Sequence, residues 1–356
     1  MRMHWPQTAL LHDHLDGSRP LLNILPELAR LSGDRYSFDP TKDHHGQIKR
    51  WFENPQTDMI KKFSVTTGVM QTPETLRLAA RTYVRHRALQ GLKYCEATIA
   101  PQYFTFKWLT EKEVIQALIE GIKEGENEFP DVEVNLIGTV GREVSSEEGV
   151  RLVEAFAECD RSYVPGIGLV CDEAKDPPEK HEPMFRRAKE LGFKRTCHAG
   201  EWCNLDMFFN GRHYDLDLWK AYTTQLMRNI YTAVFLLEVD RLDHAIPLAY
   251  DPKIFRGEVL QRVIEKNIGV TGCPGSYIFS KLIPNLRYLR INDLLNSGVL
   301  YSLNPDDDLF MPDLDEVFEM CNNEYQFSPE EQRQLLLNPW LTKFGNRKQH
   351  NIPFIN

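Results

Sequence analysis

Short apolar runs alternate with longer amphipathic stretches from one end of the chain to the other. The runs predict eight strands: Thr8–His12, Leu92–Ile99, Val132–Thr139, Gly166–Val170, Phe193–Ala199, Arg241–Ala245, Ile268–Cys273 and Val299–Asn304. Between them, apolar residues recur at helical spacing. The clearest helix covers Thr75–Leu89, where Thr72 supplies an N-cap, a proline takes the first helical position and Gly91 follows the end. Others are expected at Glu111–Gly125, Glu147–Glu158, Glu182–Leu191, Leu218–Leu237, Lys253–Lys266 and Asp293–Ser297.

Strands that alternate with helices predict a parallel sheet. At 356 residues a closed (β/α)8 TIM barrel is the economical α/β architecture, and an open doubly wound sheet is the alternative. No GxGxxG follows the first strand and no Walker A pattern occurs, so the nucleotide-binding versions of that alternative lack support. With no repeat, low-complexity tract or Gly/Ser linker, residues 1–356 read as a single barrel domain. Two segments exceed a minimal barrel connection, 21–72 and 202–240. Both are expected at the C-terminal face, as a lid over a pocket or as extra packing; in the first, Trp51, Phe52, Met59 or Phe63 could cover the pocket.

Composition narrows the function. The chain is 42% hydrophobic, enough for a large core, and carries a formal net charge of −9 with a pI near 5.7. Such a surface repels phosphate backbones, so nucleic acid is not an expected partner. Seven cysteines, an odd number with no C-x-x-C pair, point to a reducing compartment rather than a disulfide framework. The start of the chain has no apolar core of a signal peptide and no apolar span approaches membrane length, so a cytoplasmic location without membrane association is expected.

Four polar clusters stand at the ends of predicted strands. "HDHLDGS" places His12 and His14 two residues apart, on one side of a strand. "HAGEW" brings His198 and Glu201, "RLDHAI" brings His244, and "SLNPDDDLF" brings Asp306, Asp307 and Asp308. Taken singly, each has a plain structural reading: a surface histidine pair, a polar loop, a solvated acidic turn. Together they fall at the ends of strands one, five, six and eight, which a barrel gathers at one face. Imidazoles and carboxylates gathered in that way can hold a cation beside an acid that does not ligate it. His44, His45, His86, His181 and His213 lack this placement and are read as structural or exposed.

In this order, "HDHLDGS", "HAGE", "RLDH" and "SLNPDD" resemble the adenosine deaminase family of metal-dependent aminohydrolases, over roughly residues 10 to 310. The resemblance implies one zinc ion per chain held by His12, His14, His198 and Asp306, with an activated water that attacks the purine carbon bearing the amino group. It implies Glu201 as proton donor to the ring nitrogen, His244 as the group orienting or deprotonating the water, and Asp307 as a hydrogen-bond acceptor that steadies the tetrahedral intermediate. Substrate contacts are implied for His14, Asp16, Cys171 and Asp307.

The chain departs from the family pattern at several places. Cys171 and Ala245 stand where glycine is usual, Asp308 where proline is usual, Thr98 where arginine is frequent, and Pro305 separates Asn304 from Asp306. The "DGSRP" turn is one residue short, which bears on the sugar contact implied for Asp16, and the interval from Glu201 to His244 is long. The expected substrate is a 6-aminopurine or its nucleoside. Adenine, an N6-substituted purine or another aminated heterocycle is the alternative, and a non-catalytic binding protein is a further one. "DPPEK" leans to the adenine branch and "SLNPDD" to the nucleoside branch.

Overall fold

The computed structural model describes residues 9–33, 45–54, 57–202, 216–250 and 257–352. Eight parallel strands pair strictly in chain order: β1 (Ala9–His14), β2 (Tyr94–Ile99), β3 (Glu133–Gly141), β4 (Gly166–Val170), β5 (Lys194–Ala199), β6 (Arg241–His244), β7 (Gly269–Gly272) and β8 (Tyr301–Leu303). This is the (β/α)8 barrel the alternation predicts. β8 returns to β1 through the Asn304 side chain, whose Oδ1 accepts from the amides of Leu11 and His12, and through a parallel bridge of Asp13 with Asp306.

That closure also lengthens the first strand. Expected to end at His12, β1 runs on through His14 because the His14 amide donates to the Asp306 carbonyl at 3.2 Å. The remaining predicted strands hold within a few residues, and β7 and β8 are shorter than expected. The capped helix starts earlier than predicted, at Pro73: the Thr72 hydroxyl accepts from the Thr75 amide, and Thr75 reciprocates.

Among its described residues the segment 21–72 holds three helices, Leu21–Ser32, His45–Phe52 and Met59–Val69, and of the aromatic candidates there Phe52 is fully buried. The predicted helix at 253–266 is seen as Glu258–Glu265, its first residues lying outside the described ones. Most of the long segment after Glu201, residues 203–215, is likewise outside them, so its expected role as lid or packing is not described. Among the described residues no helix is long and apolar enough to cross a membrane.

The N-terminal end of the barrel is plugged by the chain's closing stretch. Glu96 pairs with Arg241 and accepts from Tyr94 Oη and the Phe344 amide, and Arg241 stacks on the Phe344 ring at 4.1 Å. Glu133 accepts from Asn135 and from the amides of Arg347 and Lys348, with His350 at 3.2 Å; Glu126 takes both terminal nitrogens of the Arg347 guanidinium. The opposite end is left to the polar clusters.

Candidate active site

Strand periodicity turns His12 and His14 to the barrel mouth, while Asp13 between them points outward to Tyr83 and Arg87. His198 ends β5 and His244 ends the neighbouring β6, and their rings meet those of β1 across the barrel mouth, with ring centroids 4.7 Å apart for His12–His198, His12–His244 and His198–His244. Asp306, just past β8, places Oδ1 3.4 Å from His12 Nε2 and 3.3 Å from His14 Nε2. His198 Nε2 lies 3.3 Å from His14 Nε2.

A buried carboxylate beneath the rings sets their tautomers. His12 Nδ1 is 3.0 Å from Thr271 Oγ1, and that hydroxyl donates to Asp243 Oδ1 at 2.8 Å; His198 Nδ1 lies 3.3 Å from Asp243 Oδ2. Burial alone would raise the Asp243 carboxyl, but His12, His198 and Arg241 hold it well below the usual carboxylate range. As an acceptor it keeps protons on Nδ1 and leaves the Nε2 lone pairs bare. Those lone pairs converge with Asp306 Oδ1, and His12 Nε2 is buried without a hydrogen-bond partner among the described residues. Mutually facing lone pairs repel, and a divalent cation removes the repulsion, so the donor set fits one. His12, His14 and His198 each bring a nitrogen within 4.8 Å of the other two; Asp306 and Asp307 group with His14 in the same way, and Cys273 joins His12, His244 and Asp306.

Glu201 sits beside this cluster. Burial, reinforced by the charges of Asp306 and Glu173, holds its carboxyl well above the usual range, so it keeps its proton. Its backbone is fixed by Glu173, which accepts from the amides of Gly200, Glu201 and Trp202 and from Asn229. Gly200 is required there: its φ is +77° and a Cβ would come within 2.5 Å of Ile230. His244 Nε2 lies 3.3 Å from Glu201 Oε2, and its Nδ1 is 3.3 Å from Tyr277 Oη.

The three consecutive aspartates have three different surroundings. Asp306 faces the imidazoles. Asp308 binds Arg87 at 2.7 Å and accepts from the Arg19 amide, so its charge belongs to a buried network with Asp13. Asp307 is buried with Oδ1 unpartnered among the described residues, and burial raises its carboxyl well above the usual range. Gly17 abuts it so closely that a Cβ would fall 1.9 Å from Asp307 Oδ1. Asp16 is buried in the turn Leu15–Gly17, its carboxyl raised by burial to about 6.

Cys171, at the mouth end of β4, is exposed and has Sγ 3.2 Å from Tyr103 Oη. Its φ is +78°, and Ala245 has φ +49°. Both departures from glycine thus fall on left-handed backbone, where a side chain costs energy. His244 and Asp306 share that conformation, with φ +74° and +66°.

Sequence reasoning missed Asp243, Thr271, Glu173, Tyr277 and Cys273. Asp243 lies inside the quoted "RLDH", and Glu173 is a charged residue three positions beyond an apolar strand; those were the available signals. Of the histidines set aside, His86 stays on its helix and His181 is buried with Nε2 3.1 Å from the Arg142 carbonyl, while His44 and His213 lie outside the described residues, as does the His45 side chain.

A parallel barrel whose mouth gathers imidazoles, a bare carboxylate and a protonated glutamate is the framework of a metal-dependent aminohydrolase. The family description "Adenosine deaminase" matches residues 6–209 and 224–351. The chain belongs to the adenosine deaminase family. An adenosine deaminase of Clostridium botulinum (strain Kyoto / Type A2) is 26% identical over 344 residues, covering 96% of this chain and 94% of the relative. Among solved structures, the adenine deaminase of Arthrobacter aurescens superposes with a TM-score of 0.76 at 24% identity, covering 96% of this chain and 95% of that one. An amidohydrolase of Burkholderia ambifaria with bound Zn gives 0.77 at 23% identity, covering 97% and 87%. These two likenesses establish the fold.

Proposed function

We propose that the protein hydrolytically removes the 6-amino group of a purine or purine nucleoside, releasing ammonia, with one zinc ion held by His12, His14, His198 and Asp306. The observation that carries this reading is the convergence of the Nε2 atoms of His12, His14 and His198 with Asp306 Oδ1, beside a Glu201 carboxyl held well above the usual range. Zinc in such a set of three nitrogens and one oxygen supplies an activated water as nucleophile. The Burkholderia neighbour, solved with Zn, supports that choice of metal.

The chain's own residues supply the rest. Glu201 donates its proton to the ring nitrogen next to the amino-bearing carbon, which makes that carbon more electrophilic. His244, 3.3 Å from Glu201, orients the attacking water and takes its proton. The unpartnered Asp307 Oδ1 accepts a hydrogen bond from the substrate, because leaving it buried and unpaired would be costly. Asp16, His14 and Cys171 complete the substrate surface. Asp243 and Glu173 hold these groups in place before substrate arrives, and that prior arrangement lowers the barrier.

Residues 1–356 act as one catalytic domain in this reading, with a small purine as partner. Six described cysteines are free, which supports a reducing, cytoplasmic location. The clostridial relative is an adenosine deaminase and the Arthrobacter neighbour an adenine deaminase, so base and nucleoside both belong in the test. Zinc-loaded protein incubated with adenine, adenosine and N6-methyl derivatives is expected to release ammonia from at least one of them. No ammonia from any aminopurine contradicts the proposal.

A further inference from the structure

Lys62 is a lysine with an unusual environment. It lies in the helix Met59–Val69 on the 21–72 segment, is 1% exposed, and has no carboxylate within ion-pair distance among the described residues. Its ammonium instead hangs 4.7 Å from the Phe279 ring centroid and 5.4 Å from that of Phe310. Ring faces attract a cation but offer no oxygen to its three N–H groups, so desolvation is only partly offset. A buried, unpaired ammonium is costly unless something supplies acceptors.

The position of Lys62 says what that something is near. The neighbouring Phe63 ring stands 6.4 Å from the His14 ring and 5.3 Å from Phe310. Phe310 in turn donates its amide to the Asp307 carbonyl, so the ring over which Lys62 sits and the unpartnered Asp307 carboxyl belong to one turn. Lys62 lies near enough to Asp307 that an ionised carboxylate there would work against the lowering of its proton affinity by burial. Among the described residues, a cation with no carboxylate in ion-pair reach and an acceptor with no hydrogen-bond partner therefore stand close together.

We propose that Lys62 is a substrate-contacting specificity residue that binds an anionic substituent of the purine, a phosphate or a carboxylate, so that the preferred substrate carries a negative charge. The assignment rests on the deaminase reading for the identity of the purine. The Asp306 carboxylate would otherwise repel such a group; Lys62 is a buried cation near Asp307 with no carboxylate of its own within ion-pair reach among the described residues. Oxygens of the substituent complete the ammonium's hydrogen bonds, and a charge-assisted pair of this kind is worth roughly tenfold to a hundredfold in affinity.

The test is calorimetric binding to zinc-loaded protein, which reads without turnover. Two pairs separate the sources of the charge: inosine 5′-monophosphate against inosine, and N6-carboxymethyladenine against N6-propyladenine. In wild type at least one anionic ligand is expected to bind about tenfold tighter or more than its uncharged counterpart. That ratio is expected to fall to about one in both Lys62→Met and Lys62→Gln and to return in Lys62→Arg, with Gln guarding against a Met variant that fails to fold. No charge preference in either pair, or a preference that survives in the Met and Gln variants, overturns the proposal. A Lys62-dependent preference without ammonia release from any aminopurine supports Lys62 while removing the catalytic reading.

Discussion

The two ends of this barrel treat buried charge in opposite ways. At the N-terminal end Glu96, Glu126 and Glu133 meet guanidinium, amide and side-chain donors, all provided by the chain itself. At the C-terminal mouth His12 Nε2 and Asp307 Oδ1 are buried and unpartnered among the described residues, and Asp306 faces imidazole nitrogens. The left-handed backbone at Cys171, His244, Ala245 and Asp306 also sits at the mouth. The plug is a closed electrostatic unit that serves stability. The mouth is an open one, completed only by something from outside, and that is where function resides.

Substitutions at the two ends should therefore fail differently. The largest effect is expected for Glu201→Gln, which keeps the shape but has no proton to give: turnover should fall by about 10²–10⁴-fold while metal content and melting temperature hold. Steady-state ammonia release checks this, and near-normal turnover would remove Glu201 from the mechanism. At the other end, Glu96→Gln removes the nearer of the two carboxylates that face buried Arg241, the other being Asp243 at 3.6 Å, and denaturant melts should show a loss of about 3–5 kcal/mol. Turnover per folded molecule should stay within a few-fold, so a large selective loss of turnover would break the division between the ends. The smallest effect is expected for Ala245→Gly, which relieves a left-handed Cβ and should stabilise by about 0.5–1 kcal/mol in the same melts. Destabilisation there would mean that the mouth is not strained at that residue.

The barrel was legible because period-2 runs and capped helices are local signals, and Thr72–Pro73 marked its helix start to within two residues of the expected span. The site clusters were legible because barrel topology brings strand ends together whatever their distance in sequence. Their supports were not. Asp243 beneath two histidines, Glu173 gripping the "AGEW" backbone and Arg87 absorbing Asp308 are long-range pairings whose partners carry no sequence spacing. Lys62 was passed over for the same reason: a lysine on an amphipathic helix reads as solvent-facing until its neighbours are known. The three aspartates could be flagged as costly together, but only the fold divides them among imidazoles, an arginine and a buried place beside Gly17.

The account turns on His12, His14, His198 and Asp306 gathering one divalent cation with Asp243 orienting the rings. Titration of metal-free protein with zinc, followed calorimetrically, tests it most directly. Wild type should bind one ion per chain, and Asp243→Asn should keep that stoichiometry with affinity lowered about 10–100-fold. A His12→Ala/His198→Ala double variant that still takes up one zinc with wild-type affinity would contradict the account.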